Sequence, residues 1–577
     1  MSVTSISRAV ATALAACAAT AALAQSADIA GWHSDHHLHD RHVLLISIDG
    51  MHAVDLENCV ASGTCPNLAA LVASGVNYTR ASTSKPSDSF PGLMSIVTGA
   101  SPKLMGVYYD VAYDRVLAPP MLDTGNGLMH GNCVVGEPNG TRTEYEEGDD
   151  FDQSKLNGVN DGTATYGRYD GSAQAIDPRK LVRDPYSNCA SVYPWNFVRA
   201  NTIFGVVHAA GGYTAWSDKH PVYAAVSGPT GTDVPSNLDD FYGPEINSNL
   251  IPLPGVKTAE GLDCSAIPND NGGDWTGDFD NIKCYDQLKV DAVLHWIHGQ
   301  NHMGTADARV PNVFGMNFQA VSVGQKLIET IDGRQVKGGY LDGAATPRDA
   351  LKGDIEFVDG AIGQFVQALK SRHLYDSTTL IITAKHGQSP IDPNRFFPIP
   401  GHSGANGTPP SGVLGAAYLP DSELNQIGPT EDDVSLLWLR PGVSTTDAVA
   451  LLESNASAIG LGQIIYGPQL ALMLNQPGLP SEGGDPRTPD IIVTPNVGVV
   501  YTGSTKKQAE HGGFALDDTN VMLLVSNPRL HARTVNSAVE TAQVAPTILE
   551  SLGLNPQRLD GVRKEGTPAL PGIRLED

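Results

Sequence analysis

The sequence predicts an α/β protein, an α/β/α sandwich around a largely parallel central sheet, on three observations. Apolar runs of strand length recur at 43–48, 313–318, 378–384 and 521–525, and near-continuous apolarity is what a parallel strand covered on both faces needs. Stretches of helical length separate them, as strand–helix–strand crossovers require. Gly (61) and Pro (39) are spread through the 577 residues without a clean linker. One large domain with long decorated loops is therefore expected over 42–577, although the chain exceeds a usual single core.

In chain order, residues 1–24 carry Arg8, an Ala-rich apolar run and Ala22-Leu23-Ala24 before Gln25. This is the pattern of a secretory signal with a small-residue cleavage site; the run is too short and Ala-rich for a membrane anchor. The mature chain is expected to be exported, to a periplasm or the outside, with no membrane span. Residues 25–41 read as an N-terminal arm. His33, His36, His37, His39 and His42 cluster there, as a solvated terminus or, alternatively, a metal-binding tract. Six cysteines remain after Cys17, and an oxidising compartment would pair them. Nearness in sequence suggests Cys59–Cys65 and Cys264–Cys284, leaving Cys133–Cys189, among the many pairings six cysteines allow. No C-x-x-C pair points to a metal cluster.

Acidic residues outnumber basic ones 63 to 37, a formal charge of −26. Such a surface repels nucleic acid polymers and anionic lipid, so a small anionic ligand needs a locally positive site.

Strand 43–48 ends in Asp49-Gly50. A helix starts at Cys65-Pro66 and Gly75 ends it. Strand 76–82 then delivers the chain to Lys85–Gly99, KPSDSFPGLMSIVTG. Pro91 fits the first position of a helix, which puts Ser89 at the helix mouth. Free N–H groups and the helix dipole favour an anion there, and a serine so placed can attack phosphorus. The same window also reads as a plain helix cap. Gly106–Asp110 is a short strand or turn. Residues 119–195 form an insertion whose acid run, Glu144–Asp150, is a solvated loop or a calcium site. Helix 201–210 and strand 213–216 lead to Ser217-Asp218-Lys219-His220. Strand ends line the ligand crevice in open α/β sheets, so Asp218 and His220 are second-rank site candidates, with a structural Asp-Lys pair as the alternative. Helix 284–297, strand 313–318, helix 347–369 and strand 378–384 follow, the last delivering Lys385-His386. Residues 391–480 are a peripheral insertion with helix 445–454 and short strands near 464–466. Strand 490–495 and the His511 loop return to the core, closed by strand 521–525 and helix 543–553.

Asp49 at a strand end, Ser89 before Phe90-Pro91, His386-Gly387 and His511-Gly512 together resemble the type I phosphodiesterase/nucleotide pyrophosphatase branch of the alkaline phosphatase superfamily, across residues 40–555. The SDSFPG window with its downstream TG is the most specific part. The resemblance implies an alkaline phosphatase-like sandwich and a hydrolase of small phosphate esters, phosphodiesters or nucleotide pyrophosphates. It implies Ser89 as nucleophile and Asp49, Ser89, His386 and His511 as metal ligands. Phe90 and Tyr108 are candidates for stacking on a base or aryl leaving group, with core packing the alternative. Asp110 stands where the family has an Asn near the phosphate; an acid there repels phosphate unless protonated or paired, and a surface turn acid is the alternative.

The sequence also departs from the pattern. The family's Asp-x-x-x-His pair is matched by Val321 and Gln325; valine cannot bind zinc, and glutamine is a poor ligand. Lys385 replaces an Asp. At most one divalent ion, expected to be zinc, is therefore implied, with Lys385 beside Ser89 as a second catalytic group replacing metal charge. The alternative is a catalytically silent binding or structural protein on the same fold. A sulfatase motif, Cys or Ser followed by x-Pro-x-Arg, is absent around Ser89. Nothing in the sequence sets an oligomeric state.

Overall fold

Strand β1 (His42–Ile48) is buried along its whole length because alternate side chains enter two different cores. Leu44, Ile46 and Ile48 face one, Val43 and Leu45 the other. The computed structural model describes residues 38–124, 127–145, 173–247, 253, 255–266, 274–400, 407–421 and 430–573. The signal segment, most of the histidine arm and residues 146–150 of the acid run lie outside the described residues.

Eight strands form the main sheet: β1, β2 (Val76–Tyr78), β3 (Ala215–Ser217), β4 (Asp240–Tyr242), β5 (Val313–Phe318), β6 (Thr378–Thr383), β7 (Leu523–Ser526) and β8 (Arg533–Val535). Their order is β8-β2-β7-β6-β1-β5-β3-β4. Every pairing is parallel except those of β7 with β6 and with β2. One face is covered by α1 (Ala53–Ser62), α2 (Pro66–Ser74), α5 (Phe279–Ile297), α6 (Ala320–Lys326) and α7 (Asp349–Ser371). The other is covered by α3 (Ser89–Thr98), α4 (Ile203–Ala209) and α8 (Val544–Ser551). This is the expected α/β/α sandwich. Among the described residues no helix is long and apolar enough to cross a membrane.

The cysteines pair as Cys59–Cys65, Cys133–Cys189 and Cys264–Cys284. Two expectations about strands are corrected. The 76–82 run splits: Val76–Tyr78 enters the main sheet, while Ala81–Ser82 pairs with Asn520–Val521 and Val539–Glu540. Strand Ile491–Pro495 does not return to the main sheet. It pairs with Ser435–Leu437 and Leu461–Tyr466 in a separate four-stranded sheet. That sheet is itself covered on both faces, with Ile492 in one small core and Ile491 and Val493 in another. Its strand therefore reads in sequence like a central one.

Asp49 follows β1, Asp218 and Lys219 follow β3, Gln319 follows β5, and Lys385 and His386 follow β6. All lie at the carboxyl ends of parallel strands, the rim on which open α/β sheets build their sites.

Candidate active site

Helix α3 begins at Ser89 itself, and Asp88 is its cap: the Asp88 carboxylate accepts the Phe90 N–H at 3.1 Å. Pro91 thus occupies the third helical position, not the first. Ser89 is fully buried, and its Oγ lies 3.1 Å from His386 Nε2. His386 Nδ1 lies 2.9 Å from the Gly387 carbonyl. A carbonyl only accepts, so Nδ1 carries the hydrogen and Nε2 of the neutral ring presents its lone pair to the serine hydroxyl. The His511 ring packs on His386 with centroids 4.2 Å apart, and its Nδ1 is 3.4 Å from Asp88 Oδ1. Helix mouth, Asp49, His386 and His511 are brought together.

The ammonium on the serine is that of Lys219, whose Nζ donates to Ser89 Oγ at 3.3 Å. Sequence reasoning expected Lys385 there. Lys385 lies in the same buried cluster, donating to Asp218 Oδ1 at 3.0 Å and 3.9 Å from Asp49 Oδ2, above the Tyr223 ring at 4.1 Å. Lys219 had a legible signal, since it stands in the same strand-end cluster that singled out Asp218 and His220. Asp218 is held by the Trp216 indole N–H at 3.0 Å. His220 pairs with buried Glu245 at 2.7 Å, and burial pushes the Glu245 carboxyl up to about 8. A third buried lysine, Lys289, had no sequence signal. It pairs with Asp286 at 2.9 Å and donates to the Asn317 carbonyl at 2.6 Å.

Asp49 Oδ2 accepts amide hydrogens from Asn317 (3.2 Å) and Gln319 (2.5 Å) and lies 3.7 Å from His386 Nε2. Burial would raise its pKa; the Lys385 ammonium overrides that and holds the carboxyl far below the usual carboxylate range.

The substrate-side candidates are placed differently. Phe90 is fully buried against Tyr145 and Tyr223. Tyr108 is buried too, its hydroxyl engaged by Asp485, Thr488 and Asn475. Neither ring offers an open face for stacking, so both are packing residues. Asp110 acts through its backbone, donating its N–H to Asp88 Oδ2 at 3.0 Å.

The donors present do not fit a divalent metal. Both amides on Asp49 go to Oδ2, with Lys385 beside it, while its buried Oδ1 takes no hydrogen bond. Val321 is buried among apolar side chains. Gln325 donates to the Gly50 carbonyl at 2.7 Å and to the Tyr340 hydroxyl at 2.8 Å. Among the described residues no group of three His, Cys, Asp or Glu side chains could hold a metal ion.

Comparison with known proteins agrees with the fold. The profile of the type I phosphodiesterase/nucleotide pyrophosphatase family matches residues 43–148 and 270–516, more than half the chain. No curated protein sequence matches. Among solved structures, murine ectonucleotide pyrophosphatase/phosphodiesterase 5 aligns at a TM-score of 0.50 and 14% identity, over 89% of this chain and 96% of that one. An inactive form of the same murine protein in complex with AMP aligns equally. The human counterpart aligns at 0.47 and 13% identity, over 92% of this chain and 97% of that one.

Proposed function

This chain belongs to the type I phosphodiesterase/nucleotide pyrophosphatase family, and from that premise we propose that it is an exported hydrolase of small phosphate esters, phosphodiesters or nucleotide pyrophosphates, with Ser89 as nucleophile and His386 as base. The observation that carries the reading is the 3.1 Å approach of Ser89 Oγ to His386 Nε2, with the ring's other nitrogen tied to a carbonyl. Export is motivated by the Arg8 to Ala24 segment and supported by three disulfides. The AMP bound by the murine neighbour is a product of the size such a cleavage would release.

In the first step His386 Nε2 takes the hydroxyl proton as Ser89 Oγ bonds to phosphorus. The bond to the leaving oxygen breaks, and the released alkoxide takes a proton from water. Asp49, 3.7 Å from Nε2, balances the imidazolium. In the second step water attacks phosphorus from the vacated side and gives its proton to solvent. The bond to Ser89 breaks, and Oγ recovers its proton from His386. The residues present do not fit a metal, so no step passes through one.

The test is Ser89→Ala on mature protein against bis(p-nitrophenyl) phosphate and dinucleotide substrates. Loss of turnover with an unchanged melting temperature is expected; near-normal turnover refutes Ser89 as nucleophile. A second reading, a silent binding protein on the same fold, is favoured by the complete burial of Ser89. Wild-type protein without turnover on any ester would select it.

A further inference from the structure

We infer that the ammonium groups of Lys219 and Lys385 replace the divalent cation at this site, so that the chain binds none, and that Lys219 is the cation acting on the nucleophile. The metal-binding half stands on the site's geometry alone; the part given to Lys219 in the reaction rests on the reading of Ser89 above.

Position argues first. Lys219 Nζ is 3.3 Å from Ser89 Oγ, and Lys385 Nζ lies between Asp218 and Asp49. Both ammonium groups lie near one aromatic ring, Tyr223, at 4.1 Å for Lys385 and 5.9 Å for Lys219. A cation over an aromatic face is held by the ring's quadrupole, so the two charges are fixed rather than roaming. Lys385 is fully buried and Lys219 is 8% exposed.

Charge argues second. Asp49 and Asp218 are each −1, and Lys219 and Lys385 are each +1, so these four groups sum to zero, and the buried Asp88 carboxylate at the helix mouth faces His511 at 3.4 Å. A divalent ion added beside Asp49 would bring two further positive charges into a buried site, next to two fixed ammoniums. Donors argue third. The Asp49 carboxylate is steadied by the amides of Asn317 and Gln319. Asn317 is braced in turn by Lys289 through its carbonyl. Asn317, Gln319 and Lys385 thus crowd Asp49 Oδ2, the oxygen that faces His386.

The consequence for chemistry concerns Lys219. Its ammonium donates to Oγ while the hydroxyl proton faces His386, which favours the serine alkoxide. As phosphorus bonds to Oγ, a non-bridging oxygen comes within reach of the same ammonium. A compact, strongly charged donor at that point stabilises the charge developing there. Lys219 keeps its proton throughout, so the balance of the two steps is unchanged.

The test uses the full mature chain. Protein is incubated with zinc, dialysed and analysed for metals, and cleavage of bis(p-nitrophenyl) phosphate is followed with and without EDTA. The expected result is no stoichiometric divalent metal and turnover indifferent to the chelator. One or more tightly held divalent ions per chain overturns the inference whatever the turnover. Lys219→Met is expected to lower kcat about 10²–10³-fold with KM little changed, and Lys219→Arg to recover part of the loss. An unchanged Lys219→Met enzyme overturns the role given to Lys219. If Lys219→Met does not fold, Lys219→Arg decides: a turnover in it that requires added zinc refutes cation replacement, and a metal-free turnover supports it. Ser89→Ala separates the two readings, because turnover in that variant removes the serine mechanism and leaves the metal analysis standing. A chain with neither turnover nor metal upholds the replacement and ends the catalytic part.

Discussion

Gly92 lies directly against Lys385: a Cβ on Gly92 would stand 2.2 Å from the Lys385 carbonyl oxygen. That close approach seats the first turn of α3 on the loop after β6 and brings Ser89 to His386. The Thr83 hydroxyl donates to the same carbonyl, so the loop has no slack to retreat. Gly92→Ala is expected to destabilise by about 1–3 kcal/mol, as overpacking does. It should also lower turnover roughly 100-fold by displacing the nucleophile. Denaturation and kinetics on one preparation check both; a variant normal in each would show that the contact sets nothing.

The Cys264–Cys284 bridge ties the start of α5 to the segment before it. α5 also carries Asp286 and Lys289. The bridge closes a 20-residue span, and replacing both cysteines by alanine should lower stability by about 3 kcal/mol. Thiol titration of denatured, unreduced wild-type protein should find no free sulfhydryl on residues 59, 65, 133, 189, 264 and 284. Free thiols there would contradict both the pairing and the oxidising compartment.

A buried acid that the reaction does not use sets a pH dependence of stability. Burial pushes the Asp518 carboxyl up to about 7 from an ordinary 3.8, and the Asp433 carboxyl hydrogen-bonded to it is raised as well; Asp518 accepts the Ala515 N–H at 3.2 Å. The folded chain therefore binds a proton that the unfolded chain has released over this range. The stability this contributes is fully present below about pH 3.8 and is lost as pH rises through about 7. Wild-type melting temperature should fall between pH 5 and pH 8, and Asp518→Asn should flatten that fall. Equal slopes in the two proteins would exclude Asp518 as the source.

The layered fold was legible because main-sheet strands such as 43–48 and 378–383 are apolar at nearly every position, a pattern that follows from covering both faces. The same pattern misled at 491–495, where a small sheet is also covered twice and local sequence carries no label for which sheet a strand joins. At the site, Asp49, Ser89, His386 and His511 could be read because each sits at a strand end or helix mouth fixed by local sequence. Lys219 and Lys385 could not be told apart, because which ammonium reaches Ser89 depends on how β3 and β6 lie across the sheet. Phe90 and Tyr108 stood open between stacking and core packing for a related reason: an aromatic beside a nucleophile looks the same in sequence whether it faces a ligand or a core.

The pairing of Lys385 with Asp218 gives a prediction that a surface ion pair would not. Both side chains are fully buried, so each charge depends on the other for compensation. Lys385→Met leaves Asp218 and Asp49 facing no ammonium at that point, and breaking a buried pair in this way costs about 3–5 kcal/mol. Asp218→Asn alone should cost less, because Lys385 keeps Asp49 at 3.9 Å and the Tyr223 ring beneath it. The double variant Asp218→Asn with Lys385→Met removes one charge of each sign and should be more stable than Lys385→Met alone, since only Asp49 then loses a partner. Denaturant unfolding of the four proteins closes the cycle. A coupling energy near zero would mean that the two charges are screened from one another, and Lys385 would then be a bystander rather than part of the charge balance around Ser89.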